Sequence, residues 1–477
     1  MRRLAHSYAF SLTGALLAAL TLAACAGDDA FPTTRAYPDA GTLDATADDA
    51  AVMARDAATP DGSASDAAGP DGAAPDAGAL DAGPADAPAR YPADALHSPL
   101  SPHVARALAR IAANDPALHG DVFAKVGDSI TVSTSFLQCF AGTRVVLDGR
   151  TGLSGTLAAF GAGDAAGTTP YQRTTLAAGV GWSASHVLTG APPLVVQEVD
   201  AVAPRFAVVM YGTNDIGANN PVGYADDMAN LLDTLTERGV VPIVSSFPPR
   251  DDDAAADARI PLYKAILRGL AEARQIPYVD LERVLRALPG HGLGPDNVHP
   301  NQAPTGACDF SAAGLGYGYD VRNLVTIEAL DRARRALVVG ESPPDAESPP
   351  RMGDGTSASP YLVDTLPFTD VRNTTYATER LRATYSGCSS TADESGAEYV
   401  YRLTLSTPRH IDAWVFDRGT VDVDVHLLDA TGAVAGCVAR NDSHVSLDLA
   451  AGTWTLVLDT YASGGVERAG EYLLVVL

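Results

Sequence analysis

The sequence predicts an α/β domain, a parallel sheet between two layers of helices, followed by an all-β sandwich. Two observations lead to this prediction. Between about residues 100 and 340, short apolar runs alternate with stretches whose apolar residues recur every three and four positions, which is typical of strands followed by helices. Near the end of the chain the apolar period changes to two, which is typical of strands with one buried face.

The α/β part is expected to begin with an amphipathic helix. Ser101 and Pro102 provide a helix start, and Val104, Leu108 and Ile111 follow at helical spacing. Strands are then predicted at 122–126, 144–147, 206–210, 240–244 and 276–279, and helices at 223–238 and 254–275. In such a sheet the reactive groups collect at the carboxyl ends of the strands.

The β part is predicted from short alternating runs that Gly, Asp and Asn turns separate. These runs lie at 399–405, 411–416, 421–427, 445–449, 453–458 and 472–477. Their pattern favours an antiparallel sandwich. The predicted organisation is an α/β domain at 101–338, a proline-rich hinge at 339–357 and a β-sandwich domain at 358–477.

The first hundred residues contain two segments of different character. Residues 1–24 have the layout of a secretory signal, with a positive start and a short apolar run. Residues 25–100 are rich in Ala, Asp, Pro and Gly, with Asp at every fifth position from Asp56 to Asp86. Because this composition offers little apolar surface and its charges repel, a disordered tether is predicted.

The overall charge excludes one class of function. The chain has 477 residues, with 58 acidic and 33 basic side chains and a net charge of -25. A field of this sign repels polyanions, so a nucleic-acid partner is not expected.

Polar side chains follow the predicted strands in a set that predicts acyl transfer. Ser129 ends a Gly-Asp-Ser run after the first strand, Asn214 lies in Gly-Thr-Asn-Asp after a later one, and Asp296 precedes His299 by three residues. A serine needs a base to take its proton, and a nearby carboxylate orients that histidine. The amide of Asn214 is a donor for the oxyanion that forms.

These motifs resemble the ordered blocks of the SGNH, or GDSL-type, hydrolases over about residues 118–338. The blocks are Gly127-Asp128-Ser129, the glycine segment 179–184, Gly212-Thr213-Asn214-Asp215 and Asp296-x-x-His299-Pro300. The resemblance implies a three-layer, flavodoxin-like α/β/α fold and ester hydrolysis through a serine acyl-enzyme, with no cofactor. Ser129 would be the nucleophile and, through its backbone N–H, an oxyanion donor, while Asp296 and His299 would complete the triad.

The resemblance also implies a glycine and Asn214 as further oxyanion donors. The glycine block is the one that departs from the family pattern, because Leu176-Ala177-Ala178 stands where the family commonly has an asparagine. Gly181 is favoured by the Ser183-Ala184 that follows it, and Gly179 is the alternative.

The cysteines suggest export. Leu22-Ala23-Ala24-Cys25 resembles the lipobox of bacterial lipoproteins, which implies acylation of Cys25 and a membrane anchor in the cell envelope. An ordinary signal peptide or an uncleaved anchor is the alternative. Ala26 is not the aspartate associated with inner-membrane retention, which leaves the outer membrane open as the location. The other cysteines, Cys139, Cys308, Cys388 and Cys437, are disulfide candidates, with free buried thiols as the alternative.

The β part is similar to pre-peptidase C-terminal domains of secreted bacterial enzymes. The similar segments are 422–429, 451–454 and 470–474. The resemblance implies an accessory role, with either a glycan or surface ligand or a purely stabilising function. Calcium binding by Asp422, Asp424 and Asp442 is a further alternative, although no metal site is predicted.

The sequence therefore predicts a monomeric, membrane-anchored serine esterase that acts on acyl or acetyl esters of lipids or carbohydrates. Within the same family, a carbohydrate deacetylase and a lysophospholipase are both compatible with the motifs. The alternative from another class is a catalytically inactive lipoprotein that binds surfaces or glycans through its sandwich.

Overall fold

The structure is a computed structural model that describes residues 88–477. The predicted signal segment 1–24, the lipidation residue Cys25 and most of the predicted tether lie outside the described residues. Within 88–477, no helix is both long and apolar enough to cross a membrane.

Residues 88–100, which the composition assigned to the tether, pack against the α/β region. The Gln275 side chain donates to the Ala89 carbonyl at 2.9 Å and accepts from the Ala89 N–H at 2.8 Å. Tyr91 is buried, and its hydroxyl donates to the Ile276 carbonyl at 2.9 Å. The Ala/Asp/Pro/Gly composition gives way to larger apolar side chains from Tyr91 onward, which explains why this last part of the segment can pack.

The α/β region contains a parallel sheet with helices, as predicted. Its strands follow one another in the order β1 (His119–Gly127), β2 (Pro204–Met210), β3 (Val241–Ser245) and β4 (Tyr278–Val279). The α-helices are α1 (Pro102–Asn114), α2 (Ser129–Val132), α3 (Ser154–Ala162), α4 (Leu194–Val202), α5 (Asp215–Ala218), α6 (Pro221–Glu237), α7 (Ala254–Asp257), α8 (Ile260–Arg274), α9 (Leu281–Arg286) and α10 (Gly318–Arg334).

Two local predictions in this region were wrong. Residues 144–147 do not form a strand of the sheet, because only Val146 pairs, through an isolated bridge to Asp309. This run is largely exposed and is bounded by a turn at 148–149, so it lacks the length and burial of a sheet strand. The predicted helix 254–275 is divided into α7 and α8.

The β region consists of two sheets packed face to face and a small hairpin. The five-stranded sheet has the order β10-β9-β12-β7-β5, the four-stranded sheet has the order β11-β8-β15-β6, and β13 pairs with β14. The strands are β5 (Tyr361–Val363), β6 (Phe368–Asn373), β7 (Glu398–Leu405), β8 (Arg409–Asp417), β9 (Val423–Leu428), β10 (Cys437–Asn441), β11 (His444–Leu449), β12 (Gly452–Thr460), β13 (Ala462–Ser463), β14 (Val466–Glu467) and β15 (Glu471–Val476).

All six predicted strands of this region are present. The strands β5, β6, β10, β13 and β14 were not predicted. β5 pairs with β7 in parallel, so the sandwich is not purely antiparallel.

The sandwich packs on the α/β region through its four-stranded sheet. Leu474 on β15 belongs to the core of the sandwich, whereas its neighbours Leu473 and Val475 join the core of the α/β region. Gly269 on α8 permits this approach, because a Cβ there would lie 2.5 Å from a Leu473 methyl group. One sheet therefore contributes to two cores, as the period of two in a strand allows.

The segment between the two regions is not a free hinge. Asp345 accepts a hydrogen bond from the Leu100 N–H at 2.6 Å, and Arg351 pairs with Glu272 of α8 at 3.2 Å. The prolines of 339–357 remove backbone donors and favour extended chain. They carry no information on the tertiary contacts that fix the segment.

Candidate active site

The carboxyl end of β1 positions Ser129 at the start of α2. Asp128 is the N-cap of this short helix, and its Oδ1 accepts a hydrogen bond from the Ile130 N–H at 2.9 Å. Gly127 is required just before it, since a Cβ there would lie 2.3 Å from Thr131 Oγ1 and 2.6 Å from the Met210 carbonyl oxygen. The turn thus directs the Ser129 side chain to the edge of the sheet.

Ser129, His299 and Asp296 form a continuous hydrogen-bonded series. Ser129 Oγ lies 2.8 Å from His299 Nε2, and His299 Nδ1 lies 2.6 Å from Asp296 Oδ2. These are the contacts that a nucleophile, a base and an orienting carboxylate require. The structure therefore brings together the three side chains that the motifs singled out.

The loop itself orients Asp296. Its Oδ1 accepts the backbone N–H groups of Val298 at 3.1 Å and His299 at 3.0 Å. Partial burial would raise the pKa of Asp296, but these bonds and the bond from the His299 ring outweigh it and hold the pKa below its ordinary value. The carboxyl group is therefore ionised at neutral pH, as stabilisation of an imidazolium requires.

Asn214 follows β2 and connects two loops of the site. Its Nδ2 donates to the Trp182 carbonyl at 2.8 Å, which leaves the second N–H of the amide for another acceptor. Gly212, two residues earlier, has φ +133° and lies against the Phe247 ring, where a Cβ would approach ring atoms to 2.0 Å. Only glycine fits this turn, which places Asn214 on the rim beyond the strand.

The hydrogen bonds distinguish the two candidate glycines. The Gly179 N–H is already used, because it donates to the Gly127 carbonyl at 3.2 Å. The Gly181 N–H meets no acceptor in the part of the chain that the structure describes, and Gly181 has φ +76° and is exposed. The Trp182 ring lies over Gly179, where an added Cβ would approach it to 2.2 Å. Gly181 is thus the glycine whose N–H remains available.

Two buried carboxyl groups, those of Asp128 and Asp215, hold the loops that form the site. Asp215 Oδ1 accepts a hydrogen bond from the Ala184 N–H at 2.8 Å. This bond fixes the segment that contains Gly181 against the start of α5. Burial raises the pKa of Asp215 to about 6 and also raises the pKa of Asp128. These groups shape the loops and take no part in the Ser129–His299 contact.

Sequence reasoning missed two side chains of α10 that hold α2 and the loop after it. Arg322 donates to the Ile130 carbonyl at 2.6 Å and to Thr131 Oγ1 at 2.9 Å. Asn323 donates to the carbonyls of Ser135 and Ala307, both at 2.8 Å. The signal that could have identified them is the presence of charged and amide side chains on a helix that is buried on nearly all sides.

All four candidate cysteines form disulfides. Cys139 and Cys308 are bonded across 169 residues of chain and join the loop after Ser129 to the loop after His299. Cys388 and Cys437 are bonded across 49 residues within the β region.

No group of three or more His, Cys, Asp or Glu side chains within residues 88–477 is arranged to hold a metal ion. The calcium candidates have other partners, since Asp424 pairs with Arg440 at 2.6 Å and Asp422 lies 3.8 Å from Arg468.

Comparison with known proteins agrees with the motif resemblance. Residues 126–303 match the GDSL-like lipase/acylhydrolase family. No match to a curated protein is found. The structure is similar to a GDSL-like lipase from Bacteroides thetaiotaomicron VPI-5482, with 16% identity, 48% of this chain and 99% of that chain covered, and a TM-score of 0.29.

Two further solved structures are similar to parts of the chain. A catalytic mutant of an acetylxylan esterase from Geobacillus stearothermophilus has 16% identity, covering 44% of this chain and 93% of its own, with a TM-score of 0.29. The pre-peptidase C-terminal domain of a collagenase from Bacillus anthracis has 14% identity, covering 24% of this chain and 90% of its own, with a TM-score of 0.16.

Proposed function

We propose that the chain is a serine esterase that hydrolyses carboxylic esters through an acyl-enzyme, in keeping with the match of residues 126–303 to the GDSL-like lipase/acylhydrolase family. The observation that supports this most strongly is the series of hydrogen bonds from Ser129 Oγ through the His299 ring to Asp296.

In the first half of the reaction, Ser129 attacks the ester carbonyl. His299 Nε2 takes the hydroxyl proton as the Ser129 Oγ–carbon bond forms, and Asp296 stabilises the resulting imidazolium. The tetrahedral intermediate then expels the alcohol, which receives the same proton from His299. An acyl group remains bonded to Ser129.

In the second half, water repeats the attack. His299 accepts a proton from the water as its oxygen bonds to the acyl carbon, and the proton returns to Ser129 Oγ as the acyl–oxygen bond breaks. The carboxylic acid leaves, and the serine is regenerated. In both half-reactions the imidazole first accepts a proton from the attacking hydroxyl group and then donates it to the departing oxygen.

Three N–H groups are proposed to bind the oxyanion. They are the backbone N–H of Ser129, the backbone N–H of Gly181 and the second amide N–H of Asn214. Ser129 is the first residue of α2, so its N–H has no acceptor within the helix. Donors fixed in advance stabilise the developing charge without reorganisation, and each contributes about 2.7–4 kcal/mol.

The test is hydrolysis of p-nitrophenyl esters from acetate to palmitate by the parent chain and by Ser129→Ala. We expect turnover in the parent and a loss of at least about 1,000-fold in the variant, since the nucleophile is absent. Ser154→Ala is the matched control, because Ser154 is exposed on α3 and, within residues 88–477, its hydroxyl group hydrogen-bonds only to the Thr151 carbonyl. Equal turnover in the Ser129→Ala variant would contradict the proposal.

We also propose that the chain is anchored in the bacterial cell envelope through lipid on Cys25. The support is the sequence Leu22-Ala23-Ala24-Cys25 after a short apolar run. Metabolic labelling with a radioactive fatty acid should mark the parent chain in the membrane fraction and fail to mark Cys25→Ala. Label that persists in the variant, or an unlabelled parent, would refute the anchor.

A further inference from the structure

A cleft with two lobes lies where α8, the segment 90–93 and the loop before β6 meet. The larger lobe has a volume of about 480 Å³ and the smaller one about 280 Å³, and both are lined by Ala93, Arg268 and Pro367. Cavities of about 300–1,000 Å³ are typical of sites for small molecules. None of the side chains proposed to act in ester hydrolysis lines either lobe. The cleft is therefore separate from the candidate active site.

Arg268 lies between the two lobes and has an incomplete set of hydrogen bonds. Only 6% of its surface is exposed. Its Nη2 donates to the Pro367 carbonyl at 2.8 Å, whereas its buried Nε meets no acceptor within residues 88–477. Glu272 stands four residues further along α8, at the spacing that favours an ion pair, but it is bound by Arg351 at 3.2 Å. Burial lowers the pKa of Arg268, which reflects the cost of a buried charge.

The other carboxylates that line the cleft are also bound by cations other than Arg268. Lys264 lies 2.9 Å from Asp280 and 2.7 Å from Glu282, so one lysine binds two carboxylates. The two that remain pair with arginines at the outer ends of the lobes. Within residues 88–477, Arg268 is thus the lining cation that has no carboxylate in contact. A buried guanidinium in this position is stabilised by an anion that enters the cleft.

The wall of the larger lobe beside Arg268 is apolar. It is built from aliphatic side chains, proline rings and one buried aromatic ring, so a ligand there removes apolar surface from water. An inorganic anion would bind Arg268 alone and leave this wall in contact with water. The shape and chemistry of the lobe therefore favour an anion that also has an apolar part. The apolar residues are Ala93, Ile260, Pro261, Ala265, Tyr278 and Pro367.

We propose that this cleft binds a monocarboxylate with a short apolar body, whose carboxylate accepts hydrogen bonds from Arg268 and whose body lies against the apolar wall. A planar carboxylate can accept two N–H groups of one guanidinium. A second negative charge on the ligand would be repelled by Glu272 and Asp280, the two carboxylates whose charges act on Arg268. The inference does not depend on the proposed esterase function, because the two sites share no residue.

The experiment measures binding to the full chain by isothermal titration calorimetry at pH 7. The probes are hexanoate, hexan-1-ol, which has the same apolar body without the charge, and acetate, which has the charge without the body. We expect hexanoate to bind at least about tenfold more tightly than either of the other two, because it alone uses both Arg268 and the apolar wall. Equal affinity for hexanoate and hexan-1-ol, or for hexanoate and acetate, would overturn the inference.

Variants then locate the bound hexanoate. Arg268→Met removes the charge and keeps an unbranched side chain, so it should weaken hexanoate binding at least about tenfold and leave hexan-1-ol unchanged. Arg110→Met is the matched control, because Arg110 is an exposed arginine of α1 outside the cleft, and it should bind hexanoate like the parent. If Arg268→Met also binds hexanoate like the parent, the acid lies elsewhere, for example at Ser129, and the inference is wrong.

A second variant tests the cleft without changing α8. Ala93 lines both lobes from the segment before α1, so Ala93→Phe narrows the cleft where the lobes meet. It should weaken hexanoate binding at least about tenfold while Arg268 is still present. Parent-like affinity in a folded Ala93→Phe chain would overturn the inference even if Arg268→Met does not fold. Hydrolysis by the parent and by Ser129→Ala is measured separately, so failure here leaves the esterase proposal standing.

Discussion

Removing the disulfide between Cys139 and Cys308 is expected to destabilise the chain strongly while leaving the folded enzyme active. The perturbation is the double variant Cys139→Ala with Cys308→Ala. The bond closes 169 residues of chain, and in the chain-entropy description this restricts the unfolded state by about 5 kcal/mol. Structure in the unfolded chain reduces the effect, so a loss of about 2–5 kcal/mol is the expected range.

Activity should survive because the disulfide is not the only link between the two loops. Asn323 still donates to the carbonyls of Ser135 and Ala307. Below the unfolding transition, kcat for p-nitrophenyl acetate should therefore change less than about tenfold.

The second disulfide is the matched comparison. Cys388 and Cys437 close 49 residues, for which the same description gives about 4 kcal/mol. Denaturant unfolding at 25 °C, followed by intrinsic fluorescence and by esterase activity, measures both effects. A first double variant as stable as the parent would show that this disulfide does not stabilise the chain, and a fully folded but inactive variant would show that Asn323 alone does not hold the two loops.

Three further predictions concern single side chains of the site. Asn214→Ala should lower kcat for p-nitrophenyl acetate about 100- to 1,000-fold, because it removes one oxyanion donor; a loss below about threefold would exclude that role. Asp296→Asn should lower kcat by up to about 10,000-fold, because the neutral amide no longer fixes the histidine tautomer or stabilises the imidazolium; a variant with nearly full kcat would show that the carboxylate is dispensable. Asp215→Asn should stabilise the chain at pH 8 by up to about 3 kcal/mol. Burial raises the pKa of Asp215 to about 6 in the folded state, so ionising this carboxyl group lowers the free energy of unfolding. This cost is absent below pH 4, where the group is protonated in both states, and complete above pH 6. The difference in unfolding free energy between this variant and the parent, measured from pH 4 to 8, should grow between pH 4 and 6; a constant difference would contradict the buried, ionised carboxylate.

Much of the fold follows from apolar periodicity, and the limits of that signal are physical. The runs at 122–126 and 206–210 were recognised because strands buried on both faces are apolar throughout. The run at 144–147 has the same composition but is held only by a neighbouring loop, which periodicity does not record. The short strand β5 was missed because three residues are too few to show alternation.

The candidate site was predictable to the extent that its chemistry lies in short motifs. Ser129 and Asn214 follow the ends of β1 and β2, where the fold class itself predicts that they meet, and Asp296 and His299 lie together in one short loop motif. The supporting side chains Asp215, Arg322 and Asn323 were not recognised, because their role depends on contacts between elements far apart in the chain. The residues after Gly181 favoured it over Gly179, but only the backbone hydrogen bonds show that the Gly179 N–H is already used.

The packing of the sandwich on α8 was also beyond the sequence. Leu473 and Leu474 are adjacent, identical residues of one strand, yet they belong to different cores. Alternation predicts that a strand has one buried and one exposed face. A strand that is buried on both faces at a domain boundary therefore cannot be told from any other apolar strand. The proline-rich segment 339–357 suggested a hinge because its composition, too, does not record contacts with the α/β region.

The central claim is that Ser129 is the nucleophile of an ester hydrolase, and covalent trapping tests it most directly. The folded chain is incubated with diisopropyl fluorophosphate, and the modified peptide is identified by mass spectrometry. We expect one adduct per chain, on the peptide that contains Ser129, with adduct formation greatly slowed in His299→Ala. No adduct in an otherwise folded chain, or an adduct on a different serine, would show that Ser129 is not the nucleophile.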